Sequence, residues 1–184
     1  MELQSIAVIF LIIFSLLSAI DGIYIHLIKF KLHEHIETKK EHRLHTMRSF
    51  LFFLTLLFLF YFKTSGYWLY LTVLVLLVDV IIESQDMLLE FKSRKNIGGL
   101  PSYEYFLHGI LILLRNFSIG LWMSQFERSD FGLSESLIEV RESGWIKSQI
   151  EQSMALTLIV FLIHVLLIMK PKIFSRLAHK NIGS

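Results

Sequence analysis

Cysteine is absent from this 184-residue chain, and only 2 prolines interrupt it. Without thiols there is no disulfide, thiolate zinc site, iron–sulfur cluster or cysteine nucleophile. Any metal held here must be bound by imidazole and carboxylate. A strong charge imbalance is missing too: the formal net charge is +2 with histidine neutral. The chain therefore carries no broad electrostatic attraction for nucleic acid. It shows no internal repeat, no low-complexity tract and none of the alternation that marks barrel strands. Apolar side chains are abundant instead, at 54% of residues with 16 phenylalanines, more than a soluble domain of this size readily buries.

Five apolar segments approach the roughly 20 residues that a bilayer-spanning helix needs: about 4–30, 47–63, 66–90, 103–125 and 152–170. Backbone polar groups must be paired inside lipid, so these runs predict an all-α integral membrane protein, a single transmembrane domain of five helices over 1–184. No basic residue precedes the first run, which outlasts the apolar core of a signal peptide, so a retained span is expected. Basic residues set the orientation. Lys29, Lys31, Lys39, Lys40, Arg43, Arg48, Lys92, Arg94, Lys95, Lys170, Lys172, Arg176 and Lys180 fall on one side, and only Lys63, Arg128, Arg141 and Lys147 on the other. That bias predicts an external N-terminus and a cytoplasmic C-terminus, as in a bacterial inner membrane.

The outer loop 126–151 is acidic and amphipathic. Ser136 and Glu139 have capping-box spacing, Gly144 reads as a helix stop and Trp145 as an interfacial anchor, so a short surface helix is expected. The stretch 93–100 reads as a turn, and Pro101 with Ser102 as a helix start.

Charge inside the apolar segments is the main functional signal. Asp79, Glu83, Asp86 and Glu90 follow one another at intervals of four, three and four, so they share one stripe of the third span. Each charge at a bilayer centre costs about 2.5–3.5 kcal/mol on insertion scales, which calls for partners. Because spans alternate in direction, Asp21, His26, His42, His45, Glu104, His108 and His164 are expected at a similar depth, in the cytoplasmic half. Arg115 is expected to form a structural ion pair with Asp79, and Glu90 to reach water. Glu83 and Asp86 have no evident cation except imidazole, which makes them, with His42, His45 and His108, the first choice of metal ligands. Glu104, Asp21 and His26 follow as ligands or supporting groups. On an α-helix His26 lies about 140° around from Asp21, so these two need not serve one centre. His33, His35 and His179 are expected in solvent, and His164 has no assigned role.

Mixed oxygen and nitrogen donors suit iron, zinc or manganese, and more than four donors suggest two ions. The expected function is a membrane-embedded, metal-dependent enzyme with its site at the cytoplasmic interface, acting on an apolar or lipid-like molecule in the bilayer. Its chemistry would be that of a di-iron oxidoreductase or, second, a zinc hydrolase. The H-x-x-H-H pairs of histidine-rich membrane desaturases and hydroxylases are absent. Three other readings stand beside it: a haem-binding electron carrier using His26, His108 or His164, ion or proton transport, and a structural or assembly protein. An oligomer is left open.

Overall fold

The computed structural model describes residues 2–134 and 136–169 of the chain. Helix α1 (Leu3–Ala19) runs without a break into a wider π-helical stretch, Ile20–Lys29. Helix α2 (Lys39–Thr55) likewise widens over Leu56–Tyr61, then passes into the short strand β1 (Phe62–Thr64). Helix α3 (Tyr67–Ser93) is followed by a 3₁₀ turn, Lys95–Ile97, and by Gly98 and Gly99 at positive φ. Helix α4 (Ser102–Met123) starts directly after Pro101, whose fixed φ suits that place. A 3₁₀ turn at Arg128–Phe131, strand β2 (Ile138–Val140) and helix α5 (Trp145–Met169) complete the order. Five helical rods, Leu3–Lys29, Lys39–Tyr61, Tyr67–Ser93, Ser102–Met123 and Trp145–Met169, are long and apolar enough to cross a membrane.

Several boundaries differ from those expected. Helix α2 begins at Lys39, so His42 and His45 lie inside it. Helix α5 begins at Trp145, and Gly144 precedes a helix instead of ending one. The expected surface helix in the 126–151 loop is replaced by β2, which pairs antiparallel with β1 in the register Phe62↔Val140, Lys63↔Glu139 and Thr64↔Ile138. The edge groups of β1 need partners once α2 has ended, and the loop supplies them. The Ser136 hydroxyl accepts a hydrogen bond from the Tyr67 amide (3.0 Å) at the start of α3, so it does not cap a helix of its own. The basic residues from Lys170 onward and His179 lie outside the described residues.

Helix α1 packs on α4 and α5, and α2 on α3 and α5. Toward the hairpin end the interior is apolar: Val8, Leu11, Leu56, Leu59, Phe60, Leu114, Trp122 and Ile150 form one buried cluster. Ser118 donates to the Ala7 carbonyl (2.8 Å), which ties α4 to α1 there. Toward the other end the pattern inverts. On α3, Leu88 and Phe91 are 75% exposed while Asp86 is fully buried and Glu90 is 2% exposed. Polar side chains inside and apolar ones outside is the distribution expected where lipid is the solvent.

Gly66 opens α3 at φ 57 and ψ −129, a region costly for any residue with a Cβ. A Cβ there would also fall 2.9 Å from the Gly132 carbonyl oxygen. Gly66→Ala is therefore expected to cost about 1–3 kcal/mol of unfolding free energy in detergent, whereas Gly98→Ala should show backbone strain alone. An unchanged denaturation midpoint for Gly66→Ala would contradict this account of the hairpin.

Candidate metal centre

The π-helical stretch of α1 decides where Asp21 and His26 point. Its i→i+5 bonding is visible in Phe30 N donating to Ile25 O (2.9 Å). Such a helix winds at about 4.4 residues per turn, which brings side chains five positions apart to within about 50° of each other. The separation of about 140° expected from an α-helix is thereby removed. His26 Nε2 lies 3.6 Å from Asp21 Oδ2, and both side chains face the same centre.

Three other helices contribute to that centre. From α2 comes His45, from α3 Glu90, and from α4 Glu104 and His108 one turn apart. Glu90 stands between two imidazoles: its Oε1 is 3.4 Å from His45 Nε2 and its Oε2 is 3.2 Å from His108 Nδ1. Asp21 Oδ2 stands between two more, 3.3 Å from His108 Nε2 and 3.6 Å from His26 Nε2. Glu104 Oε1 approaches His26 Nε2 at 3.2 Å. Two overlapping groups of potential metal ligands result, Asp21–His26–Glu104–His108 and His26–His45–Glu90, each with its ligand atoms within 4.8 Å of one another. They share His26. Carboxylates placed between pairs of histidines are the arrangement with which helical bundles bridge dinuclear sites.

A shell of guanidinium groups surrounds the centre. Arg94 is wholly buried; its Nε donates to Glu41 (2.7 Å), and another of its nitrogens donates to Glu104. Burial works against the Arg94 charge, but hydrogen bonds to Glu41 and the nearby Glu104 more than offset it, holding its pKa above the ordinary guanidinium value. The hydroxyl of Ser93 also donates to Glu41. Arg48 bonds Glu83 (2.5 Å) and Asp86 (3.0 Å), and Arg115 bonds Asp79 (2.7 Å) and Glu83 (2.5 Å). Asp86 Oδ2 in turn lies 3.1 Å from His45 Nδ1, so it orients that ring and leaves Nε2 facing Glu90.

With every carboxylate ionised and every imidazole neutral, the charges do not cancel. Among the described residues seven carboxylates are buried: Asp21, Glu41, Asp79, Glu83, Asp86, Glu90 and Glu104. Three guanidinia, Arg48, Arg94 and Arg115, face them, which leaves an excess of four negative charges. Two divalent ions would neutralise it, and so would protonation spread over imidazoles and carboxylates. Beside these groups is a cavity of about 80 Å³, lined by Asp21, His26, His45, His108 and His164 together with apolar side chains such as Phe14, Phe52, Leu111 and Val160.

The structure thus brings together Asp21, His26, His45, Glu104 and His108. It does not bring Glu83 or Asp86 to the same point, because each is engaged by arginine, contrary to the expectation that they lack a cation. His42 faces away, toward His33 and His164. His33 is buried at 4% exposure where solvent was expected, and His35 is partly exposed. Glu90 does not reach water; it is one of the central groups, and its place on the Asp79–Glu83–Asp86 stripe was the signal for it. Arg48 and Arg94 resembled ordinary flanking charges in sequence. No protein-family model, curated protein or solved structure matches the chain.

Arg94 holds two buried carboxylates, and deleting one partner of a buried ion pair costs about 3–5 kcal/mol. Arg94→Leu is expected to lose that much stability in a denaturant titration in detergent, and Glu41→Gln in the same background should restore part of it. Equal stability of Arg94→Leu and the parent would remove Arg94 from this role.

Proposed function

We propose that this chain is an integral membrane, metal-dependent enzyme whose His/carboxylate centre binds two ions at the cytoplasmic end of the bundle. One observation carries the reading: side chains from four separate spans converge with Glu90 and Asp21 each set between two imidazoles. The N-out, C-in orientation and a bacterial inner membrane rest on the basic-residue bias.

Six donors, three imidazoles and three carboxylates, suit two ions of iron better than a single zinc, which prefers four ligands. Zinc or manganese remains the alternative load, and hydrolysis the alternative chemistry. Two such ions, when bound, would supply a Lewis acid and open coordination positions for dioxygen or water. The protein's own groups do the rest. Asp86 and Arg94 hold His45 and Glu104 in place, and the apolar lining of the cavity limits water. That cavity is far below the ~300 Å³ lower bound of a drug-sized pocket, so only the reacting end of a lipid-like substrate would approach the ions, its bulk staying in the bilayer.

The haem reading draws less support from the same distances. Two imidazoles on opposite sides of one haem iron stand roughly 6.4 Å apart by ring centre, from Fe–N bonds of about 2 Å. The His26 and His108 ring centres are 5.8 Å apart at 84°, and carboxylates stand directly against both rings, Glu104 at 3.2 Å from His26 and Asp21 at 3.3 Å from His108. Transport draws less support as well, since the hairpin half of the interior is apolar.

Elemental analysis of detergent-purified protein expressed with added metal tests the proposal. At least two equivalents of iron, or of zinc or manganese, are expected, without a Soret band. Glu90→Ala and His108→Ala should each drop the content by at least half, while Glu83→Gln should keep it. Less than a tenth of an equivalent in the parent protein would overturn the reading.

A further inference from the structure

Three buried histidines take no part in that centre. His42 of α2, His164 of α5 and His33 of the α1–α2 connection are 3%, 2% and 4% exposed. The His42 and His164 ring centres are 5.0 Å apart with planes at 89°, and those of His33 and His42 are 6.2 Å apart at 84°. Two imidazoles bound to one tetrahedral ion through N–metal bonds of about 2.0–2.1 Å have ring centres about 5 Å apart. The first pair already has that spacing.

The nitrogens of His42 and His164 are also poorly served. His42 Nε2 and both ring nitrogens of His164 are buried and form no hydrogen bond of normal length. His164 lies against the backbone of Gly22, and His42 against the backbone of His164. Each buried polar group left unmade costs about 1–3 kcal/mol, and native structures keep few of them without an ion or a water. Glu34, one-third exposed at the rim, brings Oε1 to 3.7 Å from His33 Nε2 and supplies a negative charge.

We propose that His42 and His164, completed by His33 and by Glu34 at the rim, bind one borderline transition-metal ion in a site of their own, distinct from the dinuclear centre. Imidazole-rich donors with a single carboxylate suit zinc, cobalt, copper or iron in the divalent state. The two sites share helix α2, through His42 and His45, and no ligand. The inference does not require the dinuclear reading to hold.

The full chain in detergent, stripped with chelator, titrated with Zn²⁺ and desalted, tests it by counting bound ions. The parent protein is expected to retain three equivalents, His164→Ala and His42→Gln two, and Glu90→Ala one. Far-ultraviolet circular dichroism and a single elution peak check that each variant folds, and His164→Gln replaces His164→Ala if the latter does not. Co²⁺ loading gives a second readout: tetrahedral d–d absorption that survives Glu90→Ala and vanishes in His164→Gln. One equivalent in the parent, lost with His164 but kept in Glu90→Ala, would uphold this site while removing the dinuclear one. Zinc content and cobalt spectra of the His42 and His164 variants equal to the parent's would overturn it.

Discussion

Uncompensated negative charge in a low-dielectric interior is the constraint on which the rest of this structure depends. An isolated carboxylate cannot stay ionised in the interior of a bundle whose helices are apolar enough to cross a membrane. The fold meets part of that demand with three arginines, each forked across two acids. What remains after pairing is concentrated where histidines from different helices stand between Asp21, Glu90 and Glu104. A purely structural polar network has no reason to leave such an excess, because amides in place of the unpaired acids would remove it. A site for cations does have a reason, since the excess is what binds them.

The arginines divide the acidic stripe of α3 into two jobs. Asp79, Glu83 and Asp86 each pair with Arg115, Arg48 or both, and they link α3 to α4 and α2. Glu90 lies one turn beyond Asp86, past the reach of those guanidinia, and faces imidazoles alone. The same separation occurs on α2: Glu41 is held by Arg94, while His45, one turn on, is oriented by Asp86. Supporting groups therefore sit beside His45 and Glu104, an arrangement that keeps metal sites rigid. At the hairpin end the interior is apolar and tightly packed, which confines the polar chemistry to one end of the bundle.

Much of the architecture was legible in the sequence. Five apolar runs specify five rods, because lipid leaves the backbone no alternative to a helix, and the acidic stripe with the histidines identified which end carries the polar cluster. Finer assignments failed for physical reasons. A change from α to π winding is invisible to a 3.6-residue periodicity, so Asp21 and His26 were separated when they belong together. Arginine reach was underestimated: Arg48 and Arg94 stand at the ends of their apolar runs in sequence, yet a long side chain lets each enter the interior and claim carboxylates. Glu90 was placed in water because it ends an apolar run, while α3 continues to Ser93 and keeps it covered. The hairpin between β1 and β2 depends on contacts between segments more than 70 residues apart, which local spacing does not encode.

The central claim is that two cations occupy the space between Asp21 and Glu90. Anomalous diffraction from crystals of the metal-loaded protein, collected at the absorption edge of the bound metal, addresses it directly. The account predicts two peaks about 3.5–4 Å apart, both within bonding distance of the His26, His45, His108, Glu90 and Asp21 side chains. A loaded protein with no anomalous density among those side chains, its metal lying elsewhere in the molecule, would contradict it.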